Sequence, residues 1–195
     1  MPLNVAVIGA GYWGPNLIRN FYQLPSATLK WCCDLDEERL GRVQALYPGV
    51  GVTTDHTAVL ADEGIDAVVI AVPARAHHSL ARQALLAGKH VFVEKPLAMS
   101  AVEALELIQI AEERGRVLMV GHVFEYNPAV LHIKQLLGEG GLGQLYYMYS
   151  NRVNLGRVQS DINALWSIAP HDISIMVFLL GTLPETVSAR GGTYL

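Results

Sequence analysis

The sequence of 195 residues has few charged side chains and no long apolar run. The longest candidate, residues 173–180, is far shorter than the roughly 20 residues that a membrane-spanning helix needs. Lys and Arg form no cluster and the net charge is −4, so we predict neither a membrane nor nucleic acid as a partner. Residues 1–4 hold no basic segment of the kind that opens a signal peptide, and we therefore expect a cytoplasmic protein.

Cysteine is also scarce, and the seven histidines are scattered along the chain. The two cysteines, Cys32 and Cys33, are adjacent within an apolar run and have no partner elsewhere in the sequence. We predict that they are buried free thiols, which suits a reducing compartment. Because no Cys/His group has the spacing of metal ligands, we predict no metal site.

A glycine-rich loop near the start of the chain is the strongest pattern that the sequence does contain. An apolar, β-branched run over residues 5–8 ends in Gly9, Gly11 and Gly14, and apolar residues then recur at helical spacing. In this strand–turn–helix context Gly-x-Gly-x-x-Gly indicates a dinucleotide site. The first glycine permits the turn, the second lets the backbone approach a pyrophosphate, and the third allows close helix–strand packing. The start of the helix offers free N–H groups to the phosphates.

An acidic residue at the end of the next predicted strand, residues 28–33, sharpens this prediction. Asp34 lies 20 residues after Gly14, where a carboxylate accepts hydrogen bonds from the adenosine ribose. Such a carboxylate repels a 2′-phosphate, so we predict NAD as the cofactor in preference to NADP. The alternative is that Asp34 caps the helix predicted over residues 37–47, although Asp36 is the better placed cap.

Strands and helices alternate regularly up to residue 120, which predicts an α/β fold with a parallel, doubly wound sheet. Ligands of such sheets bind beyond the carboxyl ends of the strands. That rule places Gly9, Asp34, Pro73, Lys95 and Gly121 around one crevice. The further strands are predicted over residues 50–53, 66–72, 90–93 and 117–120, and the further helices over residues 75–87 and 100–114.

The pattern changes at residue 122, so we predict a dinucleotide-binding domain over residues 1–121 and an α+β domain over residues 122–195. In the second domain we predict helices at 127–137 and 168–180 and strands at 145–153 and 185–190. Tyr146, Tyr147 and Tyr149 alternate across the first of these strands, so one face should be core, and the other is a candidate for sugar stacking or subunit contact. Because two strands make a marginal sheet, we expect that the chain is shortened in this domain.

Two residues are candidates for chemistry. Lys95 follows a predicted strand and precedes Pro96, a position from which an ammonium can stabilise the charge that develops as a hydride leaves an alcohol. The alternative is a solvated lysine in an ordinary loop. His171 is predicted in the first turn of helix 168–180, where the helix dipole favours the neutral form that a general base needs. The alternative is a histidine with a purely local role, and Ser167 is predicted as the N-cap of that helix.

Four other histidines have weaker predictions. His77, four residues after Pro73, is a candidate for lining the cofactor site. His122 follows Gly121 at the crevice and could serve either the site or the core. His56 and His78 are predicted to have surface or capping roles.

Several of these segments together resemble one family, the Gfo/Idh/MocA oxidoreductases. The resemblance covers essentially the whole chain, and Glu94-Lys95-Pro96 with its preceding strand is its most specific part. The later segments are most similar to the UDP-N-acetylglucosamine 3-dehydrogenase and UDP-hexosaminuronate branch. The resemblance rests on the glycine loop, Asp34 and residues 72–77, 88–96, 121–128, 163–166 and 170–172.

This resemblance implies NAD or NADP and a hydride transfer at a ring carbon of a sugar, with a UDP-linked hexosamine as the expected substrate. It implies that Lys95 polarises the reacting hydroxyl, that His171 accepts the proton and that the bond before Pro96 is cis. Beyond Gly9, Gly11, Gly14, Asp34 and Lys95, the expected cofactor contacts are Tyr12, Trp13, Val72, Pro73, His77 and Glu94. Beyond Lys95 and His171, the expected substrate contacts are Tyr126, Asn154 and Trp166.

The family also implies a large, open antiparallel sheet in the second domain, through which a homo-oligomer forms. Two departures bear on activity. Ser167 stands where family members commonly have Asp, and the second domain is too short for the whole sheet. Two alternatives therefore stay open: an NAD-binding sensor or partner subunit with impaired catalysis, and a glycosidase that uses NAD transiently.

Overall fold

A computed structural model describes residues 2–153 and 162–192. By their contacts, the described residues divide into two compact units. Unit 1 comprises residues 2–121 and Ile162, and unit 2 comprises residues 122–153 and 163–192. No helix in these described ranges is both long enough and apolar enough to cross a membrane.

Unit 1 is built on one six-stranded sheet in the order β3-β2-β1-β4-β5-β6, and every neighbouring pair is parallel. This is the α/β Rossmann arrangement that the sequence predicts. The strands are β1 (Leu3–Ile8), β2 (Ala27–Cys33), β3 (Gly51–Thr53), β4 (Ala67–Ile70), β5 (His90–Val93) and β6 (Leu118–Val120). The helices are α1 (Gly14–Gln23), α2 (Glu37–Leu46), α3 (His56–Ala61), α4 (His77–Leu86) and α5 (Ala101–Glu113).

Each face of the sheet carries its own apolar cluster because successive side chains of a strand point to opposite faces. In β1, Ile8 packs into a cluster with Leu85 and Leu107, whereas Val7 packs into a second cluster with Ile18. Central strands covered on both faces are continuously apolar, which explains the unbroken runs of β1 and β4. The doubly wound prediction is confirmed.

Local signals set the helix ends of unit 1. Asp36 caps α2, accepting from the backbone N–H groups of Glu38 at 3.0 Å and Arg39 at 3.2 Å, as predicted. Gly88 follows α4 with a φ of 77°, a left-handed conformation that glycine adopts without strain. A short 3₁₀ turn over Ala74–Ala76 precedes α4, so this helix begins two residues later than predicted.

Unit 2 contains two helices, α6 (Pro128–Gly138) and α7 (Ala164–Leu180), and a 3₁₀ turn over Val123–Tyr126. Lys134 of α6 donates to the carbonyl oxygens of Phe178 at 2.7 Å and Leu179 at 3.1 Å. These carbonyls lie in the last turn of α7, where the helix has no internal donors for them. A cation there also complements the helix dipole.

The prediction of two strands in unit 2 is wrong for the described residues. Residues 145–153 and 185–190 form no strand, and Tyr146, Tyr147 and Tyr149 are 83%, 77% and 81% exposed, so the predicted core face is also wrong. A strand exists only where a second strand completes its ladder, and no partner strand lies in residues 122–153 or 163–192. The predicted antiparallel sheet is therefore absent from the described part of unit 2.

Candidate functional site

In the glycine loop between β1 and α1, backbone atoms pack directly against other backbone atoms. Gly9 has a φ of 105° and its N–H donates to the carbonyl of Cys33 at 2.7 Å. A Cβ added at Gly9 would collide with the backbone of Ala71, and one added at Gly14 would collide with the carbonyl oxygen of Gly9. The loop therefore has room for glycine alone at these two positions, and α1 begins at Gly14 with its N–H groups at the loop.

Asp34 is joined directly to this loop. Its Oδ2 accepts from the N–H of Ala10 at 2.6 Å, its Oδ1 accepts from the N–H of Asp36 at 2.9 Å, and its side chain is only 9% exposed. The Nη1 of Arg39 lies 3.6 Å from Oδ1. Since Asp36 is the cap of α2, the alternative of Asp34 as that cap is wrong. A carboxylate accepts about four hydrogen bonds, so Asp34 retains capacity for ribose hydroxyls.

A cavity of about 540 Å³ opens beside the loop and Asp34. This volume lies within the range of small-molecule and cofactor sites. Five of the predicted cofactor contacts line this cavity. Residues that the sequence did not predict also line it. The predicted lining residues are Gly9, Gly11, Asp34, Val72 and Pro73, and the additional ones include Leu35, Thr54, His56, Ser79 and Gln83.

The missed residues differ in how far the sequence could have revealed them. His56 follows β3, and the rule that ligands bind beyond the carboxyl ends of strands applies to it as it does to Pro73. Its Nε2 lies 3.3 Å from Oε1 of Gln83 on α4. No pattern in the sequence distinguishes the face of α4 that carries Gln83. His78, in contrast, pairs with Glu106 at 2.9 Å, consistent with its predicted surface role.

The two cysteines are free and buried, as predicted. Burial, reinforced by the charge of Asp34, raises the pKa of Cys32 to about 12 and that of Cys33 to about 11. Cys33 also lines the cavity. Because the thiolate is the reactive form, these thiols act as apolar packing at neutral pH.

Lys95 is the second residue after β5, and the Lys95–Pro96 peptide bond is cis, as the family resemblance implies. His77 supports this segment from beneath the surface, with only 1% of its area exposed. Its Nδ1 lies 2.7 Å from the carbonyl oxygen of Pro96, and its Nε2 lies 2.9 Å from that of Val72. His77 thus connects the segment after β4 to the segment that carries Lys95.

Glu94 makes a second connection at this edge of the sheet. Trp13 of the glycine loop and Lys95 both act to lower the pKa of its carboxyl group. A Cβ added at Gly121, just after β6, would lie 3.1 Å from both carboxylate oxygens. Burial raises the pKa of Glu94, opposed by the backbone N–H and charge of Lys95, and Oε1 has no hydrogen-bond partner among the described residues. Tyr12, the neighbour of Trp13, is largely exposed.

In unit 2, α7 begins at Ala164 and Asn163 is its cap, accepting from the N–H of Trp166 at 3.0 Å. Ser167 is therefore not the N-cap, and His171 lies in the third turn rather than the first. The predicted effect of the helix dipole on His171 is wrong, because that effect falls off within the first turn. The helix starts earlier than predicted because Asn163 is itself a strong cap and the three residues after it are tolerated in a helix.

The surroundings of His171 are aromatic and charged. Its ring packs edge-on against Phe124, with centroids 4.8 Å apart. The guanidinium of Arg152 lies 5.5 Å from the same Phe124 ring and forms two hydrogen bonds to Asp172, at 2.8 and 2.9 Å. The bond from Arg152, helped by one from Ser150, holds the pKa of Asp172 below its usual range.

The remaining predicted residues of unit 2 differ in their exposure. Tyr126 is exposed in the 3₁₀ turn, Trp166 is partly buried in the first turn of α7, and Asn154 lies outside the described residues. Burial lowers the pKa of His122, opposed by Glu125, and its Nδ1 is buried with no partner among the described residues.

Unit 1 has the features that define one class of protein: a parallel Rossmann sheet, a glycine loop at the start of a helix, and a buried carboxylate at the end of β2. These are the features of a dinucleotide-binding domain. A model of the oxidoreductase family with an NAD-binding Rossmann fold, Gfo/Idh/MocA, matches residues 3–122. The chain belongs to the Gfo/Idh/MocA oxidoreductase family, and NAD is the cofactor of its fold.

Three comparisons show the range of proteins to which the chain is similar. The 2,7-anhydro-N-acetylneuraminate hydratase of Mediterraneibacter gnavus is 29% identical, over 96% of this chain and 52% of that protein. The UDP-N-acetylglucosamine 3-dehydrogenase of Acidithiobacillus ferrooxidans is 30% identical, over 97% of this chain and 58% of that one. The crystal structure of GenD2 from gentamicin A biosynthesis in complex with NAD has a TM-score of 0.82 at 30% identity, covering 92% of this chain and 54% of that one.

The chain spans about half the length of the curated relatives that it matches. The relatives named here are almost equally similar but carry out different reactions, so the similarity establishes the family without selecting a branch.

Proposed function

We propose that this chain is part of an NAD-dependent dehydrogenase that moves a hydride between nicotinamide and a ring carbon of a sugar. The observation that carries the proposal is the position of Lys95. It follows β5 at the same edge of the sheet as the glycine loop and Asp34, and the buried His77 contacts the carbonyl of the next residue, Pro96, and that of Val72 after β4. Lys95 therefore lies at the edge of the sheet where the cofactor is expected to bind. This position favours a role in the reaction over that of a solvated loop residue.

The residues of unit 1 fit a dinucleotide. Gly9 and Gly14 allow the close backbone packing that shapes the glycine loop, the Asp34 carboxylate is only 9% exposed, and the cavity beside them has the volume of a cofactor site. NAD, when bound, supplies the acceptor for the hydride. The Lys95 ammonium then donates a hydrogen bond to the hydroxyl that is oxidised and stabilises the negative charge that grows on its oxygen.

Oxidation of an alcohol releases a proton together with the hydride, and we assign His171 as its acceptor. Packing against Phe124 fixes the ring, and the Arg152–Asp172 pair fixes the next residue along α7. Asp172 occupies a place from which a carboxylate supports the imidazolium by charge. This arrangement offsets the Ser167 that stands where family members commonly have Asp.

We propose a UDP-linked hexosamine as the substrate, with Tyr126, Asn154 and Trp166 as further contacts. The similarity to a UDP-N-acetylglucosamine 3-dehydrogenase supports this class of sugar. We also propose that the exposed tyrosines of residues 146–149 contact a second copy of the chain, because exposed apolar patches of this kind mark interaction surfaces. The free thiols Cys32 and Cys33 favour a reducing, cytoplasmic location.

Incubation of the chain with NAD and a panel of UDP-sugars, followed by absorbance of reduced nicotinamide, tests the proposal. Lys95→Met should lower kcat by about 10²- to 10³-fold, the usual effect of losing one group that stabilises developing charge. Lys30→Met, at an exposed position of β2, is the matched control and should leave kcat unchanged. The proposal is overturned if no sugar reduces NAD, or if the two lysine variants behave alike.

A reaction with no net oxidation is a second candidate, favoured by the similarity to a hydratase. A hydratase or a glycosidase that uses NAD transiently would convert the sugar while the amount of reduced nicotinamide stays constant. Chromatography of the sugar beside the absorbance measurement separates the two. An NAD-binding sensor or partner subunit would give a third pattern, in which NAD raises the Tm without any sugar being converted.

A further inference from the structure

Arg152 contacts two side chains that flank His171 within unit 2. Its Nε and Nη2 donate to the two carboxylate oxygens of Asp172, at 2.8 and 2.9 Å. Its guanidinium carbon lies 5.5 Å from the centre of the Phe124 ring, which is within the range of a cation–π contact. The imidazole of His171 packs edge-on against the same ring, with centroids 4.8 Å apart and the two planes at 75°. Since Asp172 follows His171 in the chain, these four residues form a closed series of contacts.

This series of contacts restricts the imidazole of His171. An Arg–carboxylate pair with two parallel hydrogen bonds has a defined geometry, so the bonds to Asp172 fix the plane of the guanidinium. The side chains of Arg152 and Asp172 are 35% and 19% exposed, so the pair is partly shielded from solvent. The hydroxyl of the buried Ser174 donates to the backbone carbonyl of His171 at 3.1 Å. The main chain of His171 is therefore held from within α7, and its ring is held through Phe124.

The same guanidinium balances the charge beside His171. A nearby carboxylate favours the imidazolium form, and the charges of Asp172 and His171 do interact. A general base must be neutral before it accepts a proton, so an unbalanced Asp172 would work against that role. Arg152 offsets the charge of Asp172 through both hydrogen bonds. The 3₁₀ turn and α6, which pack against α7, carry other charged or titratable groups: His122, Glu125, His132 and, at the far end of α7, Lys134.

We infer that Arg152 is a positioning residue for His171, which fixes the orientation of the imidazole through Phe124 and balances the carboxylate of Asp172. Arg152 thereby keeps His171 both oriented and neutral before the proton is transferred. The helix dipole does not supply this effect, because His171 lies in the third turn of α7. The inference rests on the proposed function, in which His171 accepts the proton.

Nuclear magnetic resonance of the chain, labelled at histidine and phenylalanine, tests the inference without any turnover. In the unaltered chain the His171 imidazole should give a nuclear Overhauser signal to the Phe124 ring. Arg152→Met should weaken that signal and raise the midpoint of the His171 titration by about 1 pH unit, because Asp172 loses its counter-charge. Arg152→Lys keeps the charge and loses the paired geometry, so it should restore the midpoint and only part of the signal.

Turnover of a UDP-sugar with NAD gives a second readout. Arg152→Met should lower kcat by about 10- to 100-fold with little change in KM, the scale of a misplaced catalytic group. The acid limb of the kcat profile should move to higher pH together with the titration midpoint. Phe124→Leu should also lower kcat, but it should leave the midpoint almost unchanged because no charge is removed.

Lys134→Met is the matched control, because the Lys134 ammonium makes a cation–aromatic contact with the same helix, 5.4 Å from the Phe178 ring. It should leave the Overhauser signal, the midpoint and kcat unchanged. The inference is overturned if Arg152→Met leaves the signal, the midpoint or kcat as in the unaltered chain, or if Lys134→Met changes them equally.

A further variant keeps the test decisive if Arg152→Met does not fold. Asp172→Asn removes the carboxylate that Arg152 balances, so it should lower the midpoint of the His171 titration, and an unchanged midpoint would overturn the inference. If the unaltered chain converts no sugar, the proposed reaction fails. The two resonance measurements then still decide whether Arg152 positions His171.

Discussion

The two units of this chain are stabilised by different kinds of contact. Unit 1 has an apolar cluster on each face of its sheet and a loop in which backbone touches backbone. In the described part of unit 2, only Ser174 and Leu179 are buried, and long polar side chains make the defining contacts. Lys134 donates a hydrogen bond to a carbonyl in the last turn of α7, and Arg152 donates to the carboxylate of Asp172.

Under the proposed function, the cofactor residues and Lys95 lie in unit 1, which has an apolar core of its own, and His171 lies in unit 2. His171 depends on a few partly exposed contacts. Substitutions in unit 1 should therefore cost several times more free energy of unfolding than substitutions in unit 2.

The largest effect is expected at the close approach inside the glycine loop. Gly14→Ala forces the carbonyl of Gly9 to move, and should lower the free energy of unfolding by about 3 kcal/mol, the upper range for overpacking. It should also abolish the rise in Tm that NAD produces. Gly41→Ala is the control, since Gly41 lies in α2 with open space around it and should gain up to about 1 kcal/mol from better helix propensity. Urea unfolding followed by circular dichroism measures both, and equal effects would contradict the account of the loop.

An intermediate effect is expected at His77, which bridges two backbone segments of unit 1. His77→Ala leaves the carbonyls of Val72 and Pro96 without this partner, and should lower the free energy of unfolding by about 2 kcal/mol. His78→Ala is the adjacent control and should cost less than about 1 kcal/mol, because its partner Glu106 is partly exposed.

A positioning role for His77 makes a further distinction possible. His77→Gln keeps one donor for one of the two carbonyls, so it should recover part of the stability. If His77 also positions Lys95, both His77 variants should lower kcat more than they raise KM. A loss of stability with unchanged kcat would leave His77 as a purely structural residue.

The part of the structure that the sequence predicts is the part specified by local pattern. The glycine loop, its strand and its helix lie within the single segment Leu3–Gln23, and Asp34 follows at a spacing set by one βαβ unit. Each of these features is dictated by residues close in the chain. The rule about carboxyl strand ends then brings Pro73 and Lys95 to the same edge as Gly9 without any knowledge of side-chain contacts.

The failures arise where the outcome depends on distant residues. The alternating tyrosines of residues 145–153 fit a strand, but a strand needs a partner ladder that the described residues do not provide. Arg39 and Gln83 lie on helices whose faces are fixed only by packing. Asn163 and Ser167 are both good N-caps, and the sequence pattern alone does not decide which of them starts α7.

The smallest effect is expected in unit 2, at the pair formed by Arg152 and Asp172. Arg152 lowers the pKa of Asp172, so the folded chain holds this proton less tightly than the unfolded chain does. The resulting stability is present above the pKa of an unfolded Asp, and it is lost as the pH falls through the lower pKa of the folded state. Asp172→Asn should therefore lower the free energy of unfolding by about 1 kcal/mol or less at pH 7, as for other partly exposed pairs. The difference between Asp172→Asn and the unaltered chain should disappear in acid.

Glu38→Gln, which breaks the fully exposed pair with Arg42, is the control and should show no difference at either pH. A cost at Asp172 as large as that of Gly14→Ala would show that unit 2 is held as firmly as unit 1, and would remove the contrast between them.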